Sequence, residues 1–217
     1  MESSLERATG PLRGIRVLDA TTMLAGPYAA TLLADFGADV VKLEDVRGGD
    51  PMRQTPPIVD GQHVASKSTN RNKRSITVDL RDARGRAIYA DLARTVDVVM
   101  TNFRPATLRE WGLDYDDVVG SNPTVVMYHL TAFGRTGPYA DRPGFAKVAE
   151  AFAGLTYISG EPDRSPMFAG FPIADGIAGA MSTAPRLEPD PAVEALRRMV
   201  RESAGYAGLK RAIGGGD

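Results

Sequence analysis

The sequence contains no cysteine and only two histidines, and these absences limit its chemistry. Without a thiol, the chain has no disulfide, no thiolate nucleophile and no cysteine-ligated metal. His63 and His129 lie far apart in the chain and do not form a ligand pair at helical spacing. We therefore predict no metal site.

Long apolar runs and an excess of one charge are missing as well. Lys and Arg total 26 against 27 for Asp and Glu, so the net charge of -1 provides no basic field for nucleic acid. No window approaches the run of about 18 apolar residues that a membrane span needs, and residues 1–11 contain no signal-peptide core. We predict a cytoplasmic protein with neither a membrane nor a nucleic-acid partner.

Short apolar runs alternate with helical patterns along most of the chain. Strands are predicted at 14–19, 38–44, 75–79, 96–100 and 124–130. Helices are predicted at 28–36, 83–94, 105–111 and 146–155, with Phe36 and Ile88 on buried faces. This alternation favours an α/β fold, a Rossmann-like open parallel sheet with helices on both faces. We assign a large domain to 1–184 and a linker with a C-terminal helix to 185–217.

A single carboxylate, Asp175, lies among small and apolar residues between positions 171 and 181. The residues after it favour a helix that Asp175 would cap. Unpaired N–H groups and the helix dipole keep a carboxylate at that position ionised, as a nucleophile requires. On spacing alone, a simple N-cap and a nucleophile are both open interpretations.

In an open parallel sheet, ligands bind beyond the carboxyl ends of the strands. The loop after Asp19 lacks the glycines of a dinucleotide-binding loop, so no nicotinamide or flavin cofactor is predicted, although Glu44 ends the next strand as a ribose-binding acid does. Asn102, Phe103 and Arg104 follow another strand and offer an amide, an aromatic face and a cation. They would suit an adenine-bearing phosphorylated ligand, and a plain turn into the next helix is the alternative.

Two other features also have alternative interpretations. The basic stretch Arg71-Asn-Lys-Arg74 is either a solvated loop or a phosphate contact. His129 lies within an apolar strand, so we expect a core histidine with satisfied hydrogen bonds rather than a catalytic base.

Seven separated stretches of the chain resemble the class III coenzyme A transferases, which include formyl-CoA transferase, carnitine CoA-transferase and 2-methylacyl-CoA racemase. Their order and spacing are similar to those of the family from position 11 to position 181. The stretches are Ala25-Gly-Pro-Tyr28, Leu33-Ala-Asp-Phe-Gly-Ala-Asp-Val-Val-Lys-Leu-Glu44, Gly48-Gly-Asp-Pro-Met-Arg53, Asn72-Lys-Arg-Ser75, Asn102-Phe-Arg-Pro105, Gly134-Arg-Thr-Gly-Pro-Tyr139 and Ile173-Ala-Asp175.

The resemblance implies a CoA-transferase that uses Asp175 as a covalent nucleophile. In the family, the matching aspartate attacks an acyl-CoA to give a mixed anhydride, then becomes an aspartyl-CoA thioester that passes CoA to an acceptor acid. The implied substrates are thus an acyl-CoA thioester and a carboxylic acid, without a tightly bound cofactor, in a homo-oligomer or with a complementing subunit. The implied CoA-contacting residues are Ala25, Val78, Asp79, Leu80, Arg81, Asn102, Phe103, Arg104, Gly144, Phe145 and Ala146.

Several positions depart from the family pattern. Phe145 stands where the racemases have a second acid/base histidine, so we rank a transferase above a racemase. Leu24 replaces a glutamine found in some transferases. Asp45 and Glu110 replace two arginines of formyl-CoA transferase, so phosphate pairing is not implied at these positions.

The chain is also much shorter than the family members that it resembles. After the helix of Asp175 they continue into a small second domain that closes a glycine-rich loop over the nucleophile, and we expect that domain to be lacking here. The alternative to a transferase is therefore an inactive or incomplete CoA-binding module. We also expect apolar surface that the second domain normally covers to be exposed.

Overall fold

Strands and helices alternate along residues 10–183, the part of the chain that the computed structural model describes. The strands are β1 (Arg16–Ala20), β2 (Asp39–Glu44), β3 (Ile58–Val59), β4 (Gln62–His63), β5 (Lys73–Thr77), β6 (Val98–Thr101) and β7 (Val126–His129). The helices are α1 (Ala25–Asp35), α2 (Val64–Thr69), α3 (Ala83–Ala93), α4 (Pro105–Trp111), α5 (Tyr115–Ser121), α6 (Ala146–Phe152) and α7 (Ile173–Met181). The linker and helix predicted at 185–217 lie outside the described residues.

Five of the strands form one sheet in the order β5-β2-β1-β6-β7, and all of its neighbouring strands are parallel. The other two, β3 and β4, form a small antiparallel hairpin. The predicted α/β fold with an open parallel sheet is therefore confirmed. The chain builds the sheet outward from β1 on one side and from β6 on the other, so a crevice opens beyond the ends of these two central strands.

Helices cover both faces of the sheet, as predicted. Side chains of successive strand residues point to opposite faces, so Val17 and Leu18 belong to separate hydrophobic cores. The core around Val17 includes residues of α1, namely Ala29, Ala30, Leu33 and Ala34. The core around Leu18 includes residues of α3, α4 and α5, namely Tyr89, Ala93, Leu108 and Val118.

Two side chains predicted to be buried are exposed. Phe36 is 48% exposed because α1 ends one residue earlier and packs on the sheet through Leu33 and three alanines. Ile88 is 45% exposed because α3 instead buries Gly85, Tyr89 and Ala93, which are spaced four residues apart. A Cβ atom at Gly85 would lie 1.9 Å from the Asp79 carbonyl oxygen, so this close approach sets which side of α3 faces the protein.

Some helix boundaries were predicted correctly from the sequence, and one helix start was missed. Asp82 caps α3 by accepting a hydrogen bond from the Arg84 N–H group, and α4 begins at Pro105 and ends before Gly112, all as predicted. Helix α5 was not predicted, although Asp114 and the residue three positions later form a capping box that indicates a helix start. The β3–β4 hairpin and α2 were likewise missed in a segment interpreted as a loop. Between residues 10 and 183, no helix has the length and apolar character needed to cross a membrane.

Candidate active site

A cleft of about 320 Å³ lies at the crevice between the central strands of the sheet. The loops after β1, β6 and β7 form one side of it, through residues 22–25, 102–105 and 130–132. Residues 140–146, before α6, and the first half of α7 form the rest. Two of the strand ends selected from the sequence, those of β1 and β6, therefore meet in this cleft, which is where α/β sheets bind their ligands, whereas the loop after β2 does not line it.

Hydrogen bonds from distant residues hold the loop after β1. Asp50 accepts a hydrogen bond from the Met23 N–H group at 3.0 Å, and Met23 has a φ of 69°, a costly value for a residue with a side chain. The Asn102 side chain accepts from the Thr22 N–H group and donates to the Thr22 carbonyl oxygen, both at 2.9 Å. Asn102 was predicted to contact a ligand, and the structure shows that its amide also shapes the cleft wall.

A buried network of four charged side chains lies beneath this loop. The Lys42 ammonium is 2.9 Å from the Asp50 carboxylate, and the Lys73 ammonium is 2.9 Å from Asp19. Burial acts to raise the pKa of Asp19, but Lys42, Lys73 and a hydrogen bond from Thr21 outweigh it and lower that pKa. We did not predict this network from the sequence. The sequence feature that indicates it is the presence of charged residues within otherwise apolar strands.

Two side chains of the basic stretch at 71–74, Arg71 and Arg74, are about half exposed to solvent, whereas Lys73 is buried. Lys73 belongs to the buried network, with only 1% of its side chain exposed. Arg71 pairs with Asp35, and Arg74 forms three hydrogen bonds to Asp39 at 2.6, 2.9 and 3.1 Å. Carboxylates of the same fold therefore neutralise all three cations.

Asp175 lines the cleft as the third residue of α7 rather than as its N-cap. The N-cap position is taken by Pro172, which has no side-chain acceptor. Burial is the main cause of a raised pKa at Asp175; nearby Glu150 adds to the effect and Lys147 opposes it. The expectation that the helix end would favour the ionised carboxylate is thus corrected, because these effects dominate at this site.

Helix α7 lies very close to α1, which brings the Asp175 segment over the start of α1. A Cβ atom at Gly179 would be 2.7 Å from the Tyr28 ring and 2.8 Å from the Ala25 carbonyl oxygen. No side chain fits between the two helices at this point. Ala25 and Asp175, which lie far apart in the sequence, consequently line the same cleft.

A second cavity of about 430 Å³ shares Thr22 and Phe103 with the cleft. Phe103 packs edge-to-face with Trp111, at a ring-centroid distance of 5.4 Å, in the wall of this cavity. The residues implied by the family resemblance are divided between the two spaces. The cleft is lined by Ala25, Asn102, Phe103, Arg104, Gly144, Phe145 and Ala146, and the second cavity by Val78, Leu80, Arg81 and Phe103.

Arginine side chains around the second cavity form ion pairs with neighbouring carboxylates. Arg81 forms hydrogen bonds of 2.7 and 2.9 Å to Asp45, and it also pairs with Asp79, which lines neither space. Glu44 binds Arg53 through both carboxylate oxygens, and these hydrogen bonds are the main cause of a pKa lowered to about 2. Glu44 is thus a structural anchor of the loop after β2.

The cleft contains two cations without a carboxylate partner among residues 10–183. Arg104 and Arg142 both line it, and the Arg142 guanidinium stacks on the Tyr139 ring at 4.0 Å. His129 lies behind Phe103, with Nε2 at 2.7 Å from the Phe103 carbonyl oxygen, and burial lowers its pKa. Its Nδ1 is buried and has no hydrogen-bond partner within residues 10–183, so this part of the chain satisfies only one nitrogen of the expected core histidine.

Residues 12–185 match the model of a family described as CoA-transferase family III. The chain is 45% identical over 163 residues to the succinyl-CoA–L-malate CoA-transferase beta subunit of Chloroflexus aurantiacus, covering 75% of this chain and 40% of that protein. It is 44% identical over 179 residues to the succinate–glutarate CoA-transferase of Agrobacterium fabrum, covering 79% and 45%. The chain therefore spans less than half the length of these relatives.

Solved structures lead to the same family. A CAIB/BAIF family protein from Brucella suis matches with a TM-score of 0.76 and 36% identity, covering 88% of this chain and 50% of that protein. A Mycobacterium tuberculosis protein matches with a TM-score of 0.75 and 34% identity, covering 94% and 59%. With the family model, the related sequences and the fold in agreement, the chain belongs to CoA-transferase family III.

Proposed function

We propose that this chain carries the nucleophile and the CoA-binding part of an enzyme that transfers CoA between short dicarboxylic acids. The observation that carries the proposal is Asp175 in a cleft that shares Thr22 and Phe103 with a second cavity. The relatives are named for succinyl-CoA with malate, citramalate or glutarate, which suggests the substrate class.

In the proposed reaction, a carboxylate oxygen of Asp175 attacks the thioester carbonyl of the donor. The C–S bond breaks, and the products are a mixed anhydride and the CoA thiolate. The thiolate then attacks the aspartyl carbonyl, which releases the donor acid and leaves CoA on Asp175 as a thioester. The acceptor acid repeats these two steps in reverse, so that it leaves as the new acyl-CoA and Asp175 is restored.

The two neighbouring spaces suit the mixed chemistry of CoA, because one offers aromatic side chains and the other offers cations. The aromatic wall of Phe103 and Trp111 can contact a base, while Arg104 and Arg142 can bind phosphate or carboxylate groups. We place the thioester in the cleft, beside Asp175. An inactive CoA-binding module is the alternative. Asp175 and two cations that have no carboxylate partner among residues 10–183 line one cleft, which favours the transferase.

The active protein requires more than residues 10–183 in this proposal. Ile177 and Met181 of α7 are 59% and 63% exposed, and Phe171 before them is 57% exposed. Apolar surface beside the cleft is suited to cover by another chain or domain. Two relatives are named as alpha and beta subunits of one transferase, so we propose a homo-oligomer or a complementing subunit here.

Intact-protein mass spectrometry after incubation with succinyl-CoA tests the proposal. We expect a mass increase equal to CoA bound as a thioester, because the aspartyl thioester is the resting covalent state. Hydroxylamine should remove it and leave a hydroxamate, which peptide sequencing should locate on Asp175. The exposed Asp163 serves as an internal control that should stay unmodified. A folded protein that forms no adduct with succinyl-, malyl- or glutaryl-CoA would contradict the proposal.

Replacing Asp45 by asparagine is expected to tighten CoA binding up to about fivefold, since an exposed ion pair is worth less than about 1 kcal/mol. The change weakens the two hydrogen bonds from Arg81 to Asp45, so that the Nη groups of Arg81 can bind a phosphate group while Nε stays paired with Asp79. Isothermal titration calorimetry with CoA measures the effect. The control Asp60→Asn removes the same charge from the exposed hairpin, and equal affinities in both variants would show that Arg81 does not contact CoA.

A further inference from the structure

Helix α7 begins without a side-chain cap of its own, although it carries the proposed nucleophile. Pro172 occupies the N-cap position, so the N–H groups of the first turn need other acceptors. The Ala174 N–H group, directly before Asp175, donates to the Glu150 carboxylate at 3.3 Å. Glu150 belongs to α6, so a neighbouring helix supplies the missing acceptor.

Lys147, one turn before Glu150 on α6, binds the segment that enters α7. Its ammonium donates to the Ala169 and Phe171 carbonyl oxygens at 2.8 and 3.1 Å. It also donates to Glu150 at 2.9 Å. Only 1% of the Glu150 side chain is exposed, against 38% for Lys147. The carboxylate is therefore buried, and the Lys147 side chain lies between it and the solvent.

We propose that Glu150 and Lys147 are a pair of positioning residues that hold the first turn of α7, and with it Asp175, in place in the cleft. Glu150 accepts a hydrogen bond from the Ala174 N–H group in the first turn, and Lys147 donates hydrogen bonds to backbone carbonyl groups just before the helix begins. The inference rests on the proposed function of Asp175 as the nucleophile. Neither residue lines the cleft, so neither is expected to touch the substrate.

The pair also places two opposite charges close to the nucleophile. Glu150 raises the pKa of Asp175 and Lys147 lowers it, in addition to the larger effect of burial. Within residues 10–183, the other charged side chains that line the same cleft as Asp175 are Arg104, Asp141 and Arg142. The Tyr28 side chain of α1 lies against α7 at Gly179.

Two near-isosteric variants each remove the charge of one residue of the pair while nearly preserving its shape. Glu150→Gln keeps an oxygen that can accept from Ala174 but removes the negative charge, so the titration midpoint of Asp175 should fall. Lys147→Met removes the positive charge, so the midpoint should rise. Carbon-13 NMR of the aspartate carboxyl groups measures both, with the Asp175 signal assigned by its loss in Asp175→Asn.

Exposed counterparts provide matched controls. Glu161→Gln and Lys67→Met change the same side chains at exposed positions, and the Asp175 titration should stay as in the wild type. Lys147→Arg keeps the charge and should also leave the midpoint unchanged. Midpoints that move in the same direction in Glu150→Gln and Lys147→Met, or that do not move, would overturn the proposal. If one variant fails to fold, the direction in which the Asp175 midpoint shifts in the other variant still tests the proposal.

The titration needs no substrate, which separates this inference from the proposed function. If succinyl-CoA labels no residue but the two midpoints still move in opposite directions, the transfer function fails and the electrostatic pair stands. If labelling occurs, its acid limb should follow the NMR midpoint in each variant, falling to lower pH in Glu150→Gln. Glu150→Ala, which also removes the acceptor for Ala174, should slow labelling at every pH.

Discussion

Replacing Asp175 by asparagine is expected to reduce CoA transfer by at least about 10³-fold, since an amide cannot form the anhydride on which both half-reactions depend. Few groups could substitute for it in the cleft. The other carboxylate in its wall, Asp141, lies 3.7 Å from Arg109 and is directed to that partner. Exchange of labelled succinate into succinyl-CoA measures the loss.

The same substitution is expected to preserve stability or to increase it. Burial raises the pKa of Asp175, so the folded state binds a proton more tightly than the unfolded chain does. Stability therefore falls as the pH rises from the ordinary aspartate pKa through the raised one, and it remains reduced at neutral pH. A neutral asparagine removes that penalty. A variant that unfolded more easily than the wild type at pH 7, or that kept full exchange activity, would contradict the assignment of Asp175.

Replacing Asp19 by asparagine is expected to lower the free energy of unfolding by about 3–5 kcal/mol, the usual cost of breaking a buried ion pair from one side. Asp19 is fully buried, and its loss leaves Lys42 and Lys73 with Asp50 as their only acidic partner in the network. Because a domain of this kind has only about 5–15 kcal/mol of net stability, the effect should be large. Urea unfolding followed by circular dichroism measures it.

Asp39→Asn is the matched control for the network. Asp39 begins the neighbouring strand and pairs with Arg74, 58% of whose side chain is exposed, so its removal should cost less than about 1 kcal/mol. The contributions of these two carboxylates to stability should also differ at acidic pH. The pKa of Asp19 is lowered, so its contribution to stability is present above the ordinary carboxyl pKa and is lost as the pH falls through the lowered value. Equal losses in Asp19→Asn and Asp39→Asn would refute the network.

The sequence by itself determined the fold class and the edge of the sheet that carries the site. Alternating strand and helix patterns predicted the parallel sheet, because the periods of apolar residues are local properties of the chain. Asp82, Pro105 and Gly112 marked helix ends correctly, because capping depends on neighbouring residues. The strand-end rule then placed Asn102–Arg104 beside the cleft, since every parallel strand ends at the same edge.

Only the tertiary structure decided which charged groups neutralise one another and how Asp175 is held. Lys73 meets Asp19 across 54 positions of sequence, and no local pattern shows that pairing. The hydrogen bond from Ala174 to Glu150 depends in the same way on where α6 and α7 pack, and the position of α7 depends on the space that Gly179 leaves against α1. Charges act over distance through the folded protein, whereas periodicity and capping act along the chain. The identity of the candidate nucleophile could therefore be inferred from the sequence, but its electrostatic environment could not.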